Sequence, residues 1–323
     1  MLRNCLLALC LFAMPFASHA RPADLKVALV LPGSVTDGTF NSAAAEGMKK
    51  AQAKYPGLHV SIRENTPTAE AQEALAAYAR DGYDIVIGHG FQFADPAKRI
   101  HKRFPKTWFI INTATVAEAP NLASFDNRWG DAGYIAGAVA AMVSKSGTIA
   151  NVPAIPVPTI QEYDDGFHRG SKRVNPDIKV LSAYVGSFSD IAKAKEITTS
   201  MIDSGADVVS GIGNENVVGT LQAAKERGAL MIGTAFDSAA LAPDTIVTTA
   251  LINFDVNIDE AVGKVIDGSI EPRNYLLGLA ENGIGLAPLR NFEDKVSAQD
   301  KARIKEIMDG IRAGTVSDLP PRR

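Results

Sequence analysis

The sequence predicts an α/β protein of two lobes, each built on a doubly wound parallel sheet, the lobes joined by a hinge of three chain crossings. Three observations carry that expectation. Apolar, β-branched runs alternate with amphipathic stretches at helical spacing over 323 residues, as in successive strand-helix-strand units with right-handed connections. The alternation falls into two series that meet around residues 125–131. The length is more typical of two hydrophobic cores than of one.

The chain opens on a leader. Arg3 supplies a positive start, Leu6 to Phe16 an apolar core, and Ser18-His19-Ala20 a small-x-small cleavage site, so residues 1–20 are read as a signal peptide and the exported chain begins at Arg21. The apolar run is too short to span a bilayer, and Arg21, Asp24 and Lys26 follow it closely, so no membrane anchor is expected. Leu9 before Cys10 disfavours a lipid anchor, and both cysteines, Cys5 and Cys10, leave with the leader. A disulfide-free exported chain of this size must stand on its core.

In the first series, Lys26 to Leu31 reads as a strand followed by a helix from Asn41 to Lys54. Val60 to Arg63 precedes a helix from Thr68 to Asp81, and Asp84 to Ile87 precedes a helix from Asp95 to Phe104; strand Trp108 to Ile111 ends the series. The second series pairs helix Asp131 to Ser144 with strand Thr148 to Val152, Gln161 to Val174 with Ile178 to Tyr184, Ile191 to Ser204 with Asp207 to Ser210, and Val217 to Arg227 with Leu230 to Gly233. Strand Ile246 to Leu251 and helices Asn257 to Asp267 and Ala298 to Ala313 complete it. Crossings near Asp126, Leu251 and Leu286 assign residues 21–126 with 252–286 to one lobe and 127–251 with 287–323 to the other.

Open parallel sheets bind ligands beyond the carboxyl ends of their strands, so the loops there carry the candidate site. After the first strand come Asp37 as an acceptor, Phe40 as a flat apolar face and Asn41, whose alternative role is helix capping. After the third strand, Phe91 is either core or a second aromatic wall, while the lone His89 reads as structural. At the first crossing, Trp129 is a cleft aromatic or a hinge packer, and Asp131 an acceptor or a helix-start charge. In the second lobe, Gly213, Asn214 and Glu215 close one strand and Asp237 another. Asp237 is favoured as an acceptor because no clear helix start follows it.

Composition narrows the partners. With 33 basic against 36 acidic residues the net charge is −3, and the leader carries one of the basic residues and no acidic one, which leaves −4. Without a basic stripe, no nucleic-acid partner is expected. The chain has no Gly-x-Ser-x-Gly elbow, no phosphate loop ending in Gly-Lys-Ser/Thr and no His-Glu-x-x-His. No catalytic residue, metal or cofactor is therefore expected. A hydrolase working through Asp37, Glu215 and Asp237 is the alternative from another class.

Asp37-Gly38-Thr39-Phe40-Asn41 resembles the Asp-x-x-Phe-Asn motif of the basic membrane protein family, type I periplasmic solute-binding receptors of ABC transporters that include purine-nucleoside binders. Further resemblances follow in order: Asp131-Ala-Gly-Tyr-Ile-Ala-Gly137, Gly166-Phe167 with Gly170 and Asn175-Pro176, Gly205-Ala-Asp-Val208, and Ala223 to Gly228. The resemblance implies a monomeric periplasmic receptor with a small-molecule ligand and ABC permease subunits as partners. Its lobes close on a base between aromatic faces, with acidic groups on ribose hydroxyls or ring nitrogens, and Asp37, Phe40, Asn41, Phe91 and Asp237 carry those roles. Two departures stand out: Asn214-Glu215-Asn216 replaces a glycine-rich loop, and Ile252-Asn253 stands where nucleoside binders have a lysine. The expected ligand is accordingly a purine nucleoside, a free base or a similar planar polar compound, with a sugar receptor of the same fold as the nearer alternative.

Overall fold

The computed structural model describes residues 24–321, so the expected leader, with Cys5 and Cys10, lies outside the described residues. The first lobe is built in sequence from β1 (Leu25–Val30), α1 (Phe40–Lys54), β2 (Leu58–Arg63), α2 (Ala71–Arg80), β3 (Ile85–His89), α3 (Ala94–Ile100), β4 (Trp108–Asn112) and β5 (Leu122–Asn127). The chain then enters the second lobe through α4 (Trp129–Val143), β6 (Thr148–Pro153), α5 (Pro158–Val174), β7 (Lys179–Ser182), α6 (Ile191–Asp203), β8 (Val208–Ile212), α7 (Asn216–Arg227), β9 (Leu230–Ala235) and β10 (Ile246–Ile252). It returns for α8 (Phe254–Ile266) and β11 (Asn274–Leu277) and finishes with β12 (Ile284–Leu286) and α9 (Ala298–Ala313).

The strands form two six-stranded sheets, ordered β11-β5-β4-β3-β1-β2 and β12-β10-β9-β8-β6-β7. Every pairing in the first sheet is parallel, and in the second only β12 runs antiparallel, against β10. Parallel sheets are covered by helices on both faces, which is why β1, β3 and β8 read as continuous apolar runs and bury nearly every residue. Helix α8 joins the first lobe by packing against α1, with Lys50 donating to Asp255 at 2.7 Å.

Three strands escape the sequence reading, and each for a local reason. β5 carries Ser124, Asp126 and Asn127 on a fully buried strand, so its polarity mimics a loop; β11 is four residues at a sheet edge, and β12 three with a central glycine. They also move one lobe boundary. Because Ile284 to Leu286 pairs with β10 in the second sheet, the third crossing lies between Leu277 and Ile284 rather than at Leu286.

Two glycine motifs are explained by packing. A Cβ on Gly133 or Gly137 of α4 would stand 2.0 Å from the carbonyl oxygens of Tyr163 or Phe167, and one on Gly166 or Gly170 of α5 would meet those of Gly130 or Tyr134 at 2.1 and 1.9 Å. The helices approach backbone to backbone, a distance only glycine permits. Asp131-Ala-Gly-Tyr-Ile-Ala-Gly137 and the Gly166, Gly170 pair are thus the two halves of one interface that forms the floor of the second lobe.

Candidate functional site

A cavity of about 890 Å³ opens between the carboxyl ends of the two sheets. Its size and mixed lining suit a small organic ligand. From the first lobe come Phe40, Phe91, Thr39, Asn65, Gln92, Asp95 and Arg99; from the second come Trp129, Thr159, Phe188, Gly213, Asn214, Glu215 and Thr234.

The aromatic walls are held from behind. Phe40 opens α1, and its ring stacks on His89 at 3.9 Å between centroids and meets Phe254 edge-on at 5.2 Å. His89 is fully buried, and burial pushes its pKa down to about 3, so the ring is neutral. Its Nε2 donates to the carbonyl of Phe40 at 3.1 Å, which leaves Nδ1 to accept from Asn112 Nδ2 at 3.4 Å. His89 is therefore the backing of Phe40, as its structural reading anticipates. Trp129 is 5% exposed and donates its indole N–H to Asp126 at 2.8 Å. Phe91 is 44% exposed and approaches Phe188 across the cleft at 6.4 Å.

Of the ten residues singled out in the sequence, six line this cavity: Phe40, Phe91, Trp129, Gly213, Asn214 and Glu215. The other four do not, and each has a physical reason. Asp37 accepts from the backbone N–H groups of Thr39, Asn41 and Ser42, each at 2.9 Å, and from the side chains of Asn41 and Ser42 at 2.8 Å. It caps α1. Burial alone would raise its pKa, but these hydrogen bonds outweigh it and hold the carboxyl below the ordinary value. Asn41 is fully buried and ties Gly33 to the same cap, accepting from its N–H at 3.3 Å.

Asp237 is held by Arg290 in a two-pronged ion pair, one arm at 2.9 Å, and that pairing keeps its carboxyl below the usual range. A short 3-10 turn, Ala239–Leu241, does follow it, and Ala239 donates to the carboxylate at 3.3 Å. Asp131 faces a separate side cavity of about 430 Å³. Burial there pushes its pKa up to about 6, only partly offset by the charge of Arg128.

Several lining residues escape the sequence reading. Phe188 sits in the loop after β7, where Gly186-Ser-Phe-Ser189 has the composition of a turn. Thr234 precedes Ala235, the last residue of β9, and its hydroxyl lies 2.9 Å from that of the buried Tyr163. A polar residue two places before Phe236 at a strand end was the available signal. Thr39 places in the wall a buried hydroxyl without a partner among the described residues.

The profile of a family described as ABC transporter substrate-binding protein PnrA-like, Bmp, matches residues 24–316. The chain belongs to the Bmp family. A purine-binding protein of Brucella abortus (strain 2308) is 27% identical over 299 residues, covering 91% of this chain and 84% of that one. Basic membrane protein D of Borreliella burgdorferi (strain JD1) is also 27% identical over 299 residues, covering 88% and 86%. Among solved structures, an ABC transporter solute-binding protein from Aeropyrum pernix K1 superposes with a TM-score of 0.82 at 23% identity, covering 93% of this chain and 94% of that one. That likeness establishes the shared two-lobed fold. The Bmp resemblance read from the ordered motifs and the type I fold agree with these findings.

Proposed function

We propose that this Bmp-family protein is a periplasmic receptor that captures a purine base, a purine nucleoside or a closely similar planar polar compound and presents it to the permease of an ABC importer. The observation that carries the reading is the cavity itself, walled by aromatic faces from both lobes and edged by hydrogen-bonding groups, among them the Thr39 hydroxyl, which has no partner among the described residues. A planar ring gains most between such faces, because stacking adds to the burial of both its sides. Thr39, Asn214 and Glu215 then meet its polar edge, with Glu215 as an acceptor for ring N–H or amino groups. The relative from Brucella abortus, named as purine-binding, supports the same ligand class.

Contacts from both lobes exist together only when the cleft is shut, so the ligand shifts the population toward the closed form and displays a surface that the permease distinguishes from the open one. The protein holds its ligand without converting it. The test is titration calorimetry of residues 21–323 with purine bases, nucleosides and sugars, followed by mass analysis of the recovered compound. The expected result is binding of a purine recovered intact, with Phe40→Ala weakening it by about tenfold or more. Binding of sugars alone overturns the ligand class, and a cleaved product overturns the receptor.

A further inference from the structure

The side cavity shares Phe91, Ala94, Thr113, Val157 and Thr159 with the main one but has its own chemistry. It lies where the chain first crosses between lobes, with Asp126 at the end of β5, Arg128 in the link and Asp131 in the first turn of α4. Both lobes build it: Asn274, Tyr275 and Leu276 come from the first, Pro158 and Glu162 from α5 of the second.

Two of its charged groups, Asp131 and Arg128, make no hydrogen bond or ion pair among the described residues. Asp131 is 7% exposed, and its carboxylate accepts no hydrogen bond among the described residues. Glu281 adds a second negative charge nearby. A buried carboxylate is normally paired or hydrogen-bonded, because leaving it bare forfeits its hydration without return. The Arg128 stem lies over Gly278, and its guanidinium feels Asp131 only at a distance, with no hydrogen bond or ion pair among the described residues. Asp126 is 8% exposed; one of its oxygens serves Trp129 and the Asn127 N–H, each at 2.8 Å, and the other has no donor among the described residues.

An acid and a base that face one cavity without touching each other are complementary to a molecule that carries both charges. A metal ion is the weaker occupant, since among the described residues no three His, Cys, Asp or Glu side chains are grouped to hold one. We propose that the side cavity is a second binding site, for a zwitterion of amino-acid size whose ammonium lies on Asp131 and Asp126 and whose carboxylate lies on Arg128. A guanidinium presents a planar fork that matches a carboxylate, and an ammonium offers three donors to the two acids. Tyr275, Leu276 and Pro158 supply apolar contact for a side chain. Because the walls come from both lobes, the occupant favours the same closed form as the main ligand, and each raises the affinity for the other.

The experiment is titration of residues 21–323 with glycine, serine and leucine, with methylammonium and acetate as probes of each half. The expected result is that an amino acid binds about tenfold or more tightly than either half-probe and that Asp131→Asn and Arg128→Gln each lose about tenfold or more, as for one charge-assisted contact. Phe40→Ala is expected to leave amino-acid binding intact while weakening the purine, which separates this site from the main one. Arg128→Lys keeps the charge and is expected to retain part of the affinity. If a neutral variant fails to fold, the ratio of glycine to methylammonium on the unaltered chain decides. Absence of amino-acid binding, equal binding of methylammonium, or loss in Phe40→Ala alone overturns the proposal.

Discussion

Asp37 and Asp131 each stand at the start of a helix whose N-terminus faces the cleft, and the two carboxyls are in opposite states. Asp37 takes five hydrogen bonds within six residues of chain and is held below its ordinary pKa. Asp131 takes none among the described residues, and burial raises it to about 6. A helix start alone therefore does not decide what an acid does. The first is spent on folding, and the second faces the side cavity. The N–H groups of the first turn of α1 turn inward to Asp37, whereas Asp131 lies inside α4 and its side chain leaves the helix toward the hinge.

The largest effect that would test this contrast is on Asp37. Asp37→Ala strips the cap from α1 and is expected to lower the unfolding free energy by about 2 kcal/mol in urea denaturation, the upper range for a lost cap. A change near zero in stability with lost ligand affinity would instead return Asp37 to the binding site. The effect at Asp131 has the other sign. Its folded pKa of about 6 lies above the ordinary 3.8, so between these values the folded chain holds a proton that the unfolded chain lacks. Stability from this group thus rises as pH falls through 6 and is lost above it.

Asp131→Asn is accordingly expected to raise the melting temperature at pH 7.5, with the gain shrinking as pH falls through 6 and disappearing only near the ordinary 3.8. A lowered melting temperature at pH 7.5 would show that the carboxylate has a partner. The smallest effect belongs to the ion pair of Asp237, because Arg290 is exposed. Arg290→Gln is expected to shift the melting temperature less than either other variant, with the difference shrinking further at high salt. A large shift would place the pair among the contacts that hold the second lobe together.

The positions of most helices and central strands follow from local pattern, since a buried parallel strand must be apolar throughout and a covering helix apolar on one face. The strand-end aromatics Phe40 and Phe91 and the loop from Gly213 to Glu215 were legible for the same reason: the topology puts such ends at the cleft. Two other positions were not: Asp237 looks free until Arg290 arrives from 53 residues away, and Phe188 lines the wall from a turn-like loop after the edge strand β7.

By itself, then, the sequence determined the alternation of strands and helices, the two-lobed class, the Bmp motifs and the flat apolar faces at the strand ends, all of which depend on residues close in the chain. Tertiary structure alone decided that β5, β11 and β12 are strands, that the third crossing precedes Ile284, and which acids are taken up by caps and ion pairs. The reason is physical. Burial and hydrogen bonding set the state of a polar group, and both are supplied by neighbours that only the folded chain brings within a few ångströms.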